Sequence, residues 1–264
     1  PSLRPQSVAG WQCHGTASRP AALSPGRQSC GTITPMAEQD PPRLADMMTT
    51  SAWWPHLTEP QRRRVLAEVE ERRYTGGSVV MRKGEMVEAW TGVIEGLIKI
   101  NVVSQTGKSA TFTGIGPGGW FGEGSLLKDE PRKYDVVALR DSRIAWMPRA
   151  TFDWLLGTSI PFNRFLLLQL NERLGQFIAM IEYERLLEPD ARVARCLAEL
   201  FNPLLYPGHR EQLEISQEEI GYLSGVSRQR VNQALQVLSR EGLLDIEYGS
   251  IRIRDLARLR RYGN

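Results

Sequence analysis

The chain of 264 residues has little of what builds metal centres or covalent staples. Its three cysteines, Cys13, Cys30 and Cys196, form no CxxC pair and cannot supply the four thiolates of an iron–sulfur cluster. Disulfide-framework folds are excluded with them, and a reducing, cytoplasmic setting is the expectation. The three histidines are His14, His56 and His209, so no imidazole occurs from residue 57 to 208. That removes most schemes for a metal hydrolase or oxygenase housed in a barrel, and no catalytic or metal-ligating set emerges. Neither sign of charge dominates, with 33 Lys and Arg against 30 Asp and Glu, so placement of charge has to decide whether an anionic partner is implied. Apolar runs are short. Phe165 to Leu168 is typical of the longest, far below the ~18–20 residues of a membrane-spanning helix, and no membrane partner is expected.

What is present divides into four stretches. Residues 1–42 carry Pro, Ser, Gly, Thr and Ala with no helical or strand period, and between Val8 and Pro35 there is no continuous apolar stretch of the signal-peptide kind. A disordered extension is expected over 1–46. From Leu57 to Arg73, apolar positions at helical spacing (Leu57, Val65, Leu66, Val69) follow a Thr58-x-x-Gln61 capping box, which predicts a helix. Short β-branched segments split by glycine come next, at residues 77–81, 91–94, 96–103, 111–115, 135–138 and 143–146. Strands at that spacing without helices between them predict a small antiparallel barrel or jelly roll within 47–159. The period then changes. Leu167, Leu170, Leu174, Phe177 and Ile181 recur at alternating steps of three and four, a heptad seam on a long helix over 160–187. The seam either packs on the chain's own barrel or forms a two-helix dimer contact, and its length and regular step favour the dimer. A further helix over 191–201 follows a hinge at Glu188 to Asp190.

The last sixty residues carry the sharpest pattern. Ser216-x-x-Glu219 is a capping box opening a helix that buries Ile220 and Leu223, and Gly225 supplies a tight turn. A second helix starts at Ser227 as N-cap and buries Val231, Leu235 and Leu238 at i, i+4 and i+7. Its opposite face presents Arg228, Gln229, Asn232, Gln233 and Gln236. Two helices, a glycine turn and one polar face meet the requirement of a helix-turn-helix, because the major groove accepts a helix whose outer side chains can hydrogen-bond base edges and phosphates. Residues 221–240 contain Arg228, Arg230 and Arg240 and no Asp or Glu, so phosphates are not repelled. Residues 243–246, a turn at Tyr248-Gly249 and residues 251–253 predict a hairpin wing, followed by an arginine-rich tail. Arg228 is suited to bidentate contact with guanine and Gln229 and Gln233 to adenine, while Ser227 and Arg230 flank the face and position it. A lone αα-hairpin would give part of this pattern without binding DNA. The acid-free face, wing and basic tail together point to DNA.

Inside the strand region, glycines surround Glu123 in Gly118-Gly-Trp-Phe-Gly-Glu-Gly-Ser125. Backbone N–H groups of such a turn, at Gly122, Gly124 and Ser125, can cradle a phosphate; Arg132 and Lys133 can neutralise it, and Glu123 can accept from a ribose hydroxyl. The bland alternative is a turn between strands and nothing more.

From about Leu57 the chain resembles the Crp/Fnr family of bacterial transcription regulators. The residues that carry the resemblance are Val93-Ile-Glu-Gly96, Gly107-Lys108, Gly116-Pro-Gly-Gly119 and Phe121-Gly-Glu123 in the barrel, and Gly225-Val-Ser-Arg-Gln-Arg-Val-Asn232 in the helix-turn-helix. The resemblance implies an α+β chain: an antiparallel jelly roll of the cyclic-nucleotide-binding type, a long dimerisation helix, and a winged helix-turn-helix over 188–264. It implies a homodimer binding an inverted repeat in double-stranded DNA, with RNA polymerase as a further partner and a ligand in the barrel that reorients the recognition helices. In the phosphate cassette Gly122-Glu123 and Arg132 fit the members that respond to cyclic AMP. Lys133 and Tyr134 depart from their small hydroxyl and alanine, the loop is one residue shorter, and Phe177 and Ile178 stand where hydroxyls would meet the base. Three expectations follow for the effector: a cyclic mononucleotide, a larger cyclic dinucleotide, or none, with constitutive DNA binding. Haem and iron–sulfur sensing are not expected. Two readings of another class remain at this point, a nucleotide-sensing module that docks a protein, and a cupin-type enzyme, against which the missing histidines argue.

Overall fold

The computed structural model describes residues 43–107, 109–208, 212–247 and 249–263. Most of the expected extension, Lys108 of the Gly-Lys motif, His209 and Tyr248 of the wing turn lie outside these. The described chain opens with α1 (Leu44–Thr50), a 3-10 turn (Trp54–His56) and α2 (Glu59–Glu68). Residues 44–46, expected in the extension, are therefore the first turn of α1, held because Met47 and Met48 are buried in the core. The Thr58–Gln61 capping box forms, with Thr58 N–H donating to Gln61 Oε1 at 2.9 Å. The helix ends earlier than its periodicity suggests. Val69 takes an extended backbone, and Arg72 and Arg73 lie in β1 (Glu70–Tyr74), a charged strand at the edge of a sheet.

The barrel continues with β2 (Val79–Met81), β3 (Ala89–Glu95), β4 (Ile98–Val103), β5 (Ser109–Ile115), β6 (Trp120–Phe121), α3 (Glu123–Lys128), β7 (Asp135–Ala138) and β8 (Ser142–Pro148). Two antiparallel four-stranded sheets result, ordered β1-β8-β3-β6 and β2-β7-β4-β5, which is the expected jelly roll. One end is closed by α4 (Arg149–Thr158) and the start of α5 (Ile160–Leu186) over an aromatic cluster. In it Trp90 stacks on Trp120 at 4.3 Å between ring centres and Phe162 meets Trp90 edge-on at 5.5 Å.

Beyond α5, α6 (Pro189–Glu199) starts inside the expected hinge, with Glu188 as its N-cap. Then come β9 (Gln212–Glu214), α7 (Gln217–Ser224), α8 (Arg228–Arg240), β10 (Leu244–Glu247), β11 (Ser250–Ile253) and α9 (Leu256–Leu259). The wing hairpin β10–β11 gains a third strand, β9, that sequence spacing does not reveal. A single apolar core joins Val193 and Leu197 of α6 to Ile220 of α7, to Val231, Leu235 and Leu238 of α8, and to Ile251 of the wing. Fully burying each such side chain contributes roughly 1.5–3 kcal/mol, which fixes the angle at which α8 is presented.

α7 is seated against the barrel. Arg140, in the turn between β7 and β8, donates from Nε and Nη2 to the two carboxylate oxygens of Glu219 at 2.9 and 2.7 Å. Lys99 Nζ lies 4.3 Å from the centre of the Tyr222 ring, and Leu223 packs where a side chain at Gly114 would stand.

Candidate nucleic-acid interface and effector site

The two helix starts are built from local chemistry. Ser216 Oγ accepts from Glu219 N–H at 3.2 Å while Ser216 N–H donates to Glu219 Oε2 at 2.6 Å, so Glu219 caps α7 and also receives Arg140. Gly225 ends α7 at φ 65°, a backbone that a Cβ would strain, and Ser227 Oγ accepts from Arg230 N–H to start α8. On α8 the apolar row Val231, Ala234, Leu235 and Leu238 is fully buried, and Arg228, Gln229, Asn232, Gln233 and Gln236 are all exposed. The face expected to read DNA is therefore the solvent face.

Its members are not equivalent. Arg228 and Gln229 make no side-chain hydrogen bond among the described residues. Arg230 is anchored, donating to Gln233 Oε1 at 2.7 Å and to Asp190 Oδ1 at the hinge at 3.4 Å. Asn232 Oδ1 accepts from Gln217 at 3.1 Å. With their carbonyls engaged, Asn232 and Gln233 turn amide N–H groups outward, and a two-pronged adenine contact by Gln233 would require breaking the Arg230 bond. Arg192 of α6 braces the turn between the helices by donating to Ser224 O at 2.9 Å. Neither Arg192 nor Arg140 carries a sequence signal for these roles; both depend on contacts far along the chain.

The barrel holds a second constellation. Gly122, at φ 96°, caps α3, so the stretch expected to be an open turn is a helical turn whose first residue is Glu123. Glu123, Ser125 and Arg132 are buried, and Gly124 is half-buried. Lys133 does not join Arg132 inside: it is exposed and ion-paired with Glu130 at 2.9 Å. Among the described residues, Glu123 Oε2 and Arg132 Nη1 have no hydrogen-bond partner. Burial lowers the affinity of the Arg132 guanidinium for its proton and raises the Tyr134 phenol above its ordinary value, and the two groups lie 5.6 Å apart. Leaving a buried polar group unpaired costs about 1–3 kcal/mol, more for a charged one, so these two atoms are the cassette's unmet hydrogen-bonding capacity.

A cavity of about 1080 Å³ opens beside this cassette, between β4 and β5, α5, α6 and α7. Glu123 and Arg132 do not line it. Tyr134 does, with Lys99, Phe112, Phe177, Met180 and Tyr183. Burial lowers the pKa of Lys99 there.

α5 turns a polar stripe inward and an apolar stripe outward. Gln169, Arg173 and Gln176 are buried against the barrel, where Gln169 and Arg173 both donate to Trp120 O at 3.1 and 3.2 Å. Leu167, Leu174, Ile178 and Ile181 are exposed, at 69%, 58%, 59% and 49%. Of the expected seam, Leu167, Leu174 and Ile181 lie on this outer stripe; Leu170 and Phe177 are half-buried toward the barrel, and Ile178 takes a place on the stripe. The exposed apolar stripe is offset from the expected row because Gln169, Arg173 and Gln176 hold one side of α5 against the barrel.

Among the described residues no group of three or more His, Cys, Asp or Glu is placed to hold a metal, and no helix is long and apolar enough to cross a membrane. Residues 71–159 match the family model for the cyclic nucleotide-binding domain, and residues 191–262 that for the Crp-like helix-turn-helix domain. The transcriptional regulator SdrP of Thermus thermophilus is 30% identical over 172 residues, covering 64% of this chain and 80% of that protein. The cyclic AMP receptor protein of the same organism is 27% identical over 194 residues, covering 74% and 88%. Among solved structures, FixK2 from Bradyrhizobium japonicum superposes with a TM-score of 0.62 at 20% identity, over 74% of this chain and 98% of that one.

Proposed function

The chain belongs to the Crp/Fnr family of transcription regulators, and from that premise we propose that it acts in the cytoplasm as a homodimer reading an inverted repeat in double-stranded DNA, with Arg228 and Gln229 as principal base readers. It is a DNA-binding regulator with an effector domain. The observation that supports this reading best is the exposed outer face of α8, which offers guanidinium and carboxamide groups within a stretch, 221–240, that contains no carboxylate. Ser227, Arg230, Asn232 and Gln233 position that face or add to it. The apolar stripe of α5 is the surface for the second copy, because four large aliphatic side chains in line on a solvated helix favour burial against the same stripe. Two-fold symmetry then sets half-sites about one helical turn, roughly 34–36 Å, apart. RNA polymerase is the expected partner of the DNA-bound form.

For the effector, an anionic cyclic nucleotide suits the cassette: phosphate on Arg132 Nη1 and a ribose hydroxyl on Glu123 Oε2, both without a hydrogen bond among the described residues, with Gly122, Gly124 and Ser125 lining the approach. Lys133 enters only if it leaves Glu130. Tyr134 and Phe177 fill space that a base would need, and the adjoining cavity of about 1080 Å³ has room for a mononucleotide or a cyclic dinucleotide.

Two measurements test the proposal. Selection of bound duplexes from genomic fragments, followed by footprinting, should return a palindrome protected on one face at two sites one turn apart; protection without symmetry, or no selection, overturns the dimeric DNA reading. Calorimetric titration with cyclic AMP, cyclic GMP and cyclic di-GMP should give saturable heat with one of them that Arg132→Leu abolishes. No heat with any, alongside unaided DNA binding, leaves the constitutive alternative.

A further inference from the structure

Between α6 and β9 the chain leaves the DNA-reading unit, enters the barrel and comes back. Phe201 is in the core of the C-terminal unit and Leu213 returns to it, but Leu205 and Tyr206, 1% and 0% exposed, belong to the barrel core beside Ile100, Ile115 and Val136. The insertion is built. Asn202 Oδ1 accepts from the Leu204 and Leu205 N–H groups at 3.0 and 3.1 Å, and Tyr206 N–H donates to Asn202 O at 2.8 Å. A Cβ at Gly118 would come within 2.9 Å of Pro207, and one at Gly119 within 3.1 Å of the Leu205 carbonyl, so glycine is what lets the segment in.

The Tyr206 hydroxyl is a hub for the inward face of α5. Arg173 Nη1 and Gln176 Nε2 donate to it, each at 3.0 Å, and Thr113 Oγ1 of β5 lies 3.2 Å away. Arg173 is 8% exposed and has no carboxylate within ion-pairing distance among the described residues. Its donors end on neutral acceptors: this phenol, Gln176 Oε1 at 3.3 Å and Trp120 O at 3.2 Å. Trp120 lies three residues before Glu123. A buried cation satisfied only by neutral groups is the arrangement an incoming anion most readily disturbs, because a charge-assisted bond is roughly twice as strong as a neutral one.

We propose that Tyr206 is an intramolecular latch that holds residues 202–207 in the barrel through Arg173 and Gln176, and that an anion bound at Arg132 draws Arg173 away and frees them. The release step rests on reading Glu123 and Arg132 as an anion site; the hold does not. The signal reaches the recognition element through α6, whose Arg192 is bonded to the turn between α7 and α8. Only hydrogen bonds and ion pairs are exchanged, and the ligand needs only negative charge and access to the cassette.

The test uses the full chain and the variants Tyr206→Phe, which keeps the ring and deletes the hydroxyl, and Gln176→Leu, which leaves the α6–β9 segment intact. Without any nucleotide, amide hydrogen exchange over residues 202–207 and 109–115 should be about tenfold faster in each variant. Affinity for the selected palindrome should shift at least about fivefold, with the melting temperature within a few degrees of the parent. The double variant should shift no more than the larger single one, since both break one hub. Unchanged exchange and affinity in Tyr206→Phe, or additive shifts, overturn the latch. Exchange of the parent over residues 202–207 with cyclic AMP, cyclic GMP and cyclic di-GMP judges the release step separately: acceleration by one of them supports it. If none accelerates exchange although calorimetry finds a binder, release is overturned; if none binds, the anion-site reading fails while Tyr206→Phe still decides the hold.

Discussion

α5 and α8 are both two-faced helices, and they are two-faced in opposite senses. α8 buries Val231, Ala234, Leu235 and Leu238 and shows arginine and carboxamide to water. α5 buries Gln169, Arg173 and Gln176 and shows Leu167, Leu174, Ile178 and Ile181. An exposed polar face suits a polar, hydrated partner such as DNA, whereas an exposed aliphatic stripe calls for another apolar surface. A buried polar stripe has to find its partners inside the chain, which it does on Trp120 O and Tyr206. Which face is solvated thus separates the helix proposed to read DNA from the one proposed to join protomers.

Three substitutions on the two helices test that contrast, and a fourth, at the barrel edge, gives a reference outside them. Leu174→Asp places a charge in the middle of the outer stripe of α5; sedimentation should give a monomer, and palindrome affinity should fall about 100-fold or more as the two half-sites cease to act together. A variant that remains dimeric with parental affinity would show the stripe is not the seam. Leu235→Ala, the matching truncation on the buried row of α8, should cost about 2–5 kcal/mol in denaturant unfolding. A loss below about 0.5 kcal/mol would mean the row is not a packed core. Ser227→Ala removes the α8 N-cap and should lower stability by about 1 kcal/mol, with proportionate loss of binding. The smallest effect belongs to the barrel edge, where neither helix takes part. Hydrogen bonds from Arg143, at 2.8 Å each, hold the Glu71 carboxyl below its ordinary value of 4.5. A depressed carboxylate contributes stability that is complete above the unfolded value and lost as pH falls through the folded one, so the melting temperature should decline below about pH 4.5. Glu71→Gln should flatten part of that decline; an unaltered slope would remove the pair from the account.

The two regions also differ in how far their sequence can be read. The helix-turn-helix is legible because its signals are local: Ser216 and Glu219 are three residues apart, Gly225 ends one helix, Ser227 starts the next, and the apolar row repeats at helical spacing. The jelly roll shows as a count of short β-branched segments. Its cassette shows as glycines around Glu123, but the hub beside it does not, because Arg173, Tyr206 and Trp120 meet across 33 and 53 residues of chain and no spacing announces the meeting. β1 was masked by charge, since an edge strand of Glu and Arg reads like the end of the preceding helix. α3 is six residues between two left-handed caps, too short for a period to register. The sequence order Arg132-Lys133 suggests a cationic pair, whereas in the irregular stretch before β7 Arg132 is buried and Lys133 is exposed on Glu130.

The central claim, that the outer face of α8 reads bases, is tested most directly by titrating the parent and Arg228→Ala at fixed salt against the selected palindrome and against duplexes with each half-site base pair replaced in turn. Arg228→Ala should lose about 1–3 kcal/mol on the palindrome, become indifferent to one base pair per half-site, and keep its affinity for unrelated DNA. Unchanged affinity for the palindrome, with discrimination intact at every position, would contradict it.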